Sequence, residues 1–291
     1  HASKLTQAIT SDDPAAASAA YLGTDLQTYV QQFKSEAERQ DDPAIVASLA
    51  DSSPAELAGA EGRLHAALAR HLRDQIAEVE GGAADKYAAW DEAHCVWTGA
   101  LRPLALAADA AGWHTVDDSI VADIDDAFAA GHDGLSGAPP ATALDDWRVP
   151  PSKQVIEKSL FRAAHRLLIE LATAARDHAD PIAARRALAL FGVVEDRLEG
   201  RNTPGIARIK AILSGDPAAI DPDAILHELD TAFAKRTRAY AAIADEDLGV
   251  PAGYKSAIEG RSYARLIAPG LAARVPALDL AAYLADWDAY P

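Results

Sequence analysis

The side chains best suited to chemistry in this chain are histidines, carboxylates and tyrosines spaced along Ala-rich segments of helical periodicity. The sharpest cluster is KYAAWDEAHCVWTG, residues 86–99. His94 stands four residues after Trp90 and three before Trp97, a spacing that turns its imidazole toward the core. Asp91 lies three residues before His94 and reaches the same space, whereas Glu92 points elsewhere because residues two apart do not share a helix face. An Asp-x-x-His pair offers convergent oxygen and nitrogen ligands of the kind that hold iron, zinc or manganese, or a carboxylate that orients a ligating imidazole. The competing reading makes His94 a core histidine bonded to Asp91 between two indoles. Glu195, in line with Leu188, Phe191 and Leu198, places a carboxylate on an apolar stripe. That is costly unless it meets a metal or an arginine, with Arg162 or Arg166 as candidates. His65 shares a face with Leu68, Leu72 and Ile76, His71 with Leu64 and Leu68, and His165 lies beside Phe161 and Leu168. His178 and His227 fall at helix ends or polar faces.

Several chemistries are excluded by what the chain lacks. It contains no Gly-x-Ser-x-Gly, no Gly-x-x-x-x-Gly-Lys and no His-Glu-x-x-His. Its single cysteine, Cys95, allows neither an internal disulfide nor a multi-thiolate metal site. Lys and Arg number 27 against 44 Asp and Glu, a net charge of −17. Such a surface repels nucleic acid and anionic lipid and favours cations or basic partners. The balance of 49% apolar and 24% charged residues, with a mean hydropathy of −0.08, supports a globular core. No run of 18 uncharged apolar residues is present, so membrane insertion is not expected.

The elements that must position these residues read as helices throughout. Ser53-Pro54-Ala55-Glu56 is a capping box with proline at the first helical position. Asp42-Pro43, Asp180-Pro181, Thr203-Pro204, Asp216-Pro217 and Asp221-Pro222 repeat the start signal, and Gly81-Gly82, Gly200 and Gly215 supply stops. Apolar stripes predict helices over about 53–80, 86–101, 116–128, 152–178, 181–199 and onward from 222, with shorter ones over 24–40, 204–213, 252–268 and 280–287. No sustained period-two alternation of β-branched residues occurs. The fold class is therefore all-α: a helical bundle of two packed halves, 23–130 and 152–291, joined by a Gly/Pro-rich linker or crossover over 131–151. Residues 1–22, rich in Ala, Ser and Asp, are expected to form a flexible arm.

Two resemblances to known families bear on function. Trp90-Asp91-Glu92-Ala93 with Trp97-Thr98-Gly99, together with Tyr254-Lys255 and the run Ile258-Glu259-Gly260-Arg261-Ser262-Tyr263-Ala264-Arg265-Leu266-Ile267-Ala268-Pro269, resemble segments of the algal low-iron-inducible periplasmic protein family. The iron-binding phytotransferrins are related to that family. The resemblance covers about 30 residues and implies extracytoplasmic capture of ferric iron, with carbonate or a similar anion as co-ligand. Asp91, Glu92, Tyr254, Glu259 and Tyr263 lie inside the matching stretches. Separately, Gly112-Trp113-His114-Thr115-Val116-Asp117 is similar to the Gly-x-His-x-x-Glu motif of imelysin-like periplasmic proteins, which are helical and associated with iron handling; the shorter Asp117 stands where that motif has Glu. An alternative account makes Thr115 an N-cap with Asp118 at N3, leaving His114 on an entry turn.

Ferric iron favours carboxylate and phenolate oxygens, often with an imidazole. Glu259 and Tyr263, four apart on a helix, can point at one ion, and Arg261 or Arg265 can hold the anion. The other reading makes Glu259 and Tyr263 a surface pair beside a core face of Ile258, Leu266 and Ile267. The expectation is thus a metal-binding protein, not an enzyme, with Asp91, His94, Glu195, Tyr254, Glu259 and Tyr263 as metal ligands and Arg261 and Arg265 as anion ligands. A chain starting at His1 is consistent with a removed signal peptide and a periplasmic or secreted location, with a membrane transporter or receptor as partner. The alternatives are a helical protein-interaction module without a metal, and a hydrolase built on His114 and Asp117. The hydrolase lacks a visible nucleophile.

Overall fold

The computed structural model describes residues 2–11, 13–32, 40–81, 83–111, 119–135 and 148–289. Helices form wherever start signals and apolar stripes coincide: α1 (Ala2–Thr10), α2 (Pro14–Tyr21), α3 (Asp25–Gln31), α4 (Asp41–Asp51), α5 (Pro54–Gly81), α6 (Lys86–Val96), α7 (Arg102–Ala110), α8 (Ile120–Asp133), α9 (Val149–His178), α10 (Pro181–Phe191), α11 (Glu195–Leu198), α12 (Thr203–Leu213), α13 (Pro222–Glu246), α14 (Pro251–Arg274) and α15 (Leu280–Asp288). Among the described residues there is no strand element, and no helix is long and apolar enough to cross a membrane. The Asp-Pro starts work as expected at α10 and α13. Asp180 accepts from the Ile182 amide, and Asp221 accepts from the amides of Asp223 and Ala224.

α9 is the axis of the molecule. α8 and α7 pack on it from one side of the chain, α10 and α14 from the other, and α5 pairs along α10. One hydrophobic core consequently runs from Leu5 to Ile267, through both of the halves expected from the sequence. Residues 131–133 complete α8 and 149–151 open α9, so part of the expected linker is helical; 136–147 lie outside the described residues.

The expected flexible arm is a correction. Residues 2–10 and 14–21 are helical, with Leu5, Ala17 and Tyr21 wholly buried. The Tyr21 hydroxyl donates to Asp42 at 2.9 Å and ties α2 to α4. Sparse but well-placed large side chains, backed by alanines, anchor this segment because alanine allows close helix approach at little entropic cost.

A second difference lies after α6. The stripe that predicts one helix over 86–101 is interrupted by a π turn, Trp97–Leu101, in which the Arg102 amide reaches the Trp97 carbonyl. Pro103 is the physical cause. It has no N–H to give to Gly99, and its ring would crowd that carbonyl in an α-helix, so the chain widens just upstream.

Close packing at Gly131 makes the core testable. A Cβ there would stand 2.1 Å from Trp90 Cζ2, whose indole Nε1 donates to the Phe128 carbonyl at 3.1 Å. A Cβ at Gly99 meets nothing within 4 Å. Gly131→Ala is expected to cost about 1–3 kcal/mol in urea unfolding through overpacking. Gly99→Ala should instead gain about 0.5–1 kcal/mol through lower backbone entropy.

Candidate functional site

The structure separates most of the residues expected to bind metal. Asp91 and His94 are both exposed, and the His94 ring rests against Phe128 at a centroid distance of 5.0 Å. The face that α6 buries runs through Ala89, Trp90, Ala93 and Val96, where small residues let neighbouring helices approach; this leaves His94 at the rim. Glu92 rather than Asp91 finds an imidazole. Its Oε1 lies 2.8 Å from Nε2 of His71, on α5. Glu195 pairs with Lys210 at 2.5 Å. Arg162 and Arg166 lie instead beside Asp123 and Asp109, at 2.5 Å and 3.7 Å. The expected stripe through Glu195 assumed one helix over 181–199, but α10 ends at Phe191, and α11 begins on a different face.

Tyr254 lines an apolar groove of about 640 Å³ with Pro150, Pro151, Leu248 and Val250, a wall to which Glu259 and Tyr263 do not contribute. Arg261 and Arg265 both pair with Asp288, at 2.6 Å and 3.3 Å. They also border a polar pocket of about 70 Å³ between α9 and α14, shared with Lys158, Arg162 and Asp123. His114 and Asp117 lie outside the described residues. Among the described residues, no group of three His, Cys, Asp or Glu side chains is arranged to hold a metal ion.

Glu259 and Tyr263 do converge, but around a cation the chain itself supplies. Lys158, 3% exposed, places its ammonium 2.5 Å from Gln154 Oε1, 2.5 Å from Glu157 Oε2 and 2.8 Å from Glu259 Oε1. The Tyr263 ring lies 5.9 Å from the same nitrogen and stacks between Phe233 and Tyr240. Arg73 extends the network, reaching Glu157 at 3.2 Å and Asp196 at 2.8 Å, and Arg197 pairs with Asp196. Burial alone would raise the Glu157 carboxyl; Lys158 and Arg73 outweigh it and hold it at about 2. Burial, with Glu259 adding to it, pushes the Tyr240 phenol up to about 12. Two of the six expected ligands, Glu259 and Tyr263, thus flank one point, and the lysine ammonium of the chain itself stands there.

A second groove of comparable size, with polar groups from three helices, lies along the π turn. This groove, of about 600 Å³, runs between α1, α5, the π turn, α7, α9 and α10. Leu104, Leu167, Leu171, Leu190 and Pro103 give it apolar walls. Its polar groups are few. Glu61 and His65 stand one turn apart on α5, and Arg186 on α10 donates to Glu61 Oε2 at 2.9 Å. Thr6, Gln7 and Thr10 contribute from α1. Burial lowers the His65 pKa, Arg186 lowers it further and Glu61 opposes them, which leaves a neutral imidazole at pH 7. The size and lining match those of small-molecule sites.

His65 is legible on its leucine stripe. Glu61, Arg186 and the π turn escape the sequence reading. The criterion applied to Glu195 selects Glu61 as well, since it lies four residues after Leu57 and three before Leu64. Pro103 following Gly99 by four is the signal for the widened turn.

No protein-family model, curated protein or solved structure matches the chain. The likeness to the two iron-linked families consequently rests on the quoted segments alone.

Two outcomes test the buried network. Lys158→Met should destabilise the protein by about 3–5 kcal/mol in urea unfolding, because it removes the ammonium that the largely buried Glu157 and Glu259 share. Glu157 has a depressed pKa, so its stabilisation is full above the unfolded value near 4.5 and is lost as pH falls through about 2. Chemical denaturation between pH 5 and pH 2 should register a loss of about 3 kcal/mol from this residue, and Glu157→Gln should flatten that part of the profile.

Proposed function

We propose that this chain is a binding protein for a small, elongated, predominantly apolar molecule held in the groove along the π turn. The observation that carries this reading is the groove itself. Its walls are leucines and a proline contributed by separate helices, and its polar groups gather at the buried Glu61 and the half-buried His65 and Arg186. A site of that composition gains affinity from apolar burial and orientation from a few fixed hydrogen-bonding groups. The widened turn supports the reading too, since π turns recur where a helix must make room at a site.

Binding without chemistry fits the lining better than catalysis does. The Thr10 hydroxyl donates to the Thr6 carbonyl at 2.8 Å rather than toward an imidazole. Ferric-iron capture by the six expected ligands finds no support in their placement, since Asp91 and His94 face solvent and Glu195 and Glu259 are each paired with a lysine.

A neutral, environment-sensitive probe such as N-phenyl-1-naphthylamine tests the proposal. Titration should give a saturable, blue-shifted emission. Ala107→Trp, which adds bulk at an exposed position on the groove wall, and Leu171→Glu, which puts a charge there, should each weaken binding at least about tenfold, equivalent to about 1.4 kcal/mol. Leu248→Glu, in the other apolar groove, should leave it unchanged. Equal binding by Ala107→Trp and the parent protein would refute the assignment of this groove.

A further inference from the structure

The polar end of the groove also bears on the head group of a ligand, an inference that rests on the small-molecule reading just proposed. Two charged side chains line that end, and they differ in reach. The Glu61 side chain is 9% exposed and that of Arg186 38%. Glu61 Oε2 accepts from Arg186 Nη2 at 2.9 Å, the one hydrogen bond of this guanidinium among the described residues. Its Nε is buried without a partner, and Nη1 is equally unengaged. A guanidinium has five N–H donors, so most of its bonding capacity is left over. A Cβ at Gly62 would lie 2.7 Å from Ala189 Cβ and 3.3 Å from the Arg186 carbonyl. α5 and α10 therefore touch nearly backbone to backbone, and the acid and the arginine keep a fixed relation across that contact.

We infer that the groove takes an elongated aliphatic monocarboxylate, its head group on the unengaged N–H donors of Arg186, with Glu61 as the buried anchor of that arginine. The reachable charge at the polar end is the cation. A ligand carboxylate can accept from it while the bond to Glu61 stays closed, and the planar guanidinium suits a planar carboxylate. Its chain lies along Leu104, Leu167 and Leu171. An alcohol would make only a neutral acceptor there, with bonds about half as strong. An ammonium would meet the like charge of Arg186, and its one counter-charge would be a nearly buried acid already engaged. His65, one turn along α5, adds no negative charge, since burial lowers its pKa against the pull of Glu61 and leaves it neutral. The net charge of −17 does not reverse this balance. Exposed charges are screened beyond about 8 Å at physiological ionic strength, whereas Arg186 acts in direct contact.

Displacement of bound N-phenyl-1-naphthylamine at pH 7 by decanoate, 1-decanol and decylammonium tests this, since the three share a chain length and differ in the head. Decanoate is expected to displace the probe with an apparent Kd at least about tenfold below those of the other two. Arg186→Gln should erase that advantage and leave decanol within about threefold of its original Kd. Because this change strands Glu61, the double variant Glu61→Gln with Arg186→Gln is measured beside it and should behave alike. Glu61→Gln alone keeps the arginine and removes a negative charge, so decanoate should bind at least as tightly as before. A purely structural role for the pair would instead weaken it in all three variants. Lys255→Gln, at the other groove, should change nothing. Folding is checked by circular dichroism on melting, and the three-compound series on the unaltered protein stands without the variants. Decanol or decylammonium binding as tightly as decanoate overturns the inference while sparing the groove, as does decanoate failing to displace a bound probe. So does an advantage for decanoate that survives the double variant, or one that is lost in Glu61→Gln or Lys255→Gln. A protein that binds neither the probe nor any of the three compounds overturns both.

Discussion

A buried ammonium decides how α9, α13 and α14 fit together. Lys158 rises from α9 into a shell formed by Gln154 and Glu157 of its own helix and Glu259 of α14, with Tyr263 stacked between Phe233 and Tyr240 alongside. Withdrawing one positive and two negative groups from water carries a desolvation cost that only close, well-oriented contacts offset. The contacts must be made simultaneously, so the network fixes the register of α14 on α9 more tightly than leucine packing would, since apolar contacts are non-directional. Arg73 carries the same constraint across to α5 and α11 through Glu157 and Asp196. Charge thus threads the core of an acidic protein as alternating partners.

The groove depends on this frame at one remove. α9 supplies Leu167 and Leu171 to its wall from the same helix that carries Lys158 nine residues earlier, and α5 supplies Glu61 and His65 from the helix that carries Arg73. A helix fixed at one end by directional bonds presents its other end in a defined place. The close approach of α5 and α10 at Gly62 does the same for Arg186. A rigid surround keeps a partly empty apolar groove from collapsing onto itself.

Much of the helical framework is legible in the sequence because its signals are local. Asp221-Pro222 starts α13 where the capping rule places it, and the stripe from Leu57 to Val79 gives α5 within a residue at each end. What the sequence hides depends on which face a helix turns inward, and small residues decide that. On α6 the aromatic spacing draws attention to His94, but Ala93 lies on the buried line and the histidine is left at the rim. Residues 2–21 look like a loose arm because alanine carries little hydrophobic signal, yet alanine is what lets Leu5 and Tyr21 reach the core. Of the expected ligands, Glu259 and Tyr263 do meet across one helical turn, as their spacing requires. The occupant of the space between them is another element's lysine, and no local pattern could name it.

The π turn between α6 and α7 has a consequence for how this chain could change by insertion or deletion. One extra residue is accommodated in that turn, and each helical residue advances the direction of its side chain by about 100°. A residue absorbed in this way leaves α7 facing as it would in an unbroken helix one residue shorter, so Leu104 and Ala107 stay on the wall, whereas a further inserted residue that the turn does not absorb would swing them off it by that angle. The slack of one residue at this bend lets α6 and α7 keep separate registers while the turn and α7 border the groove.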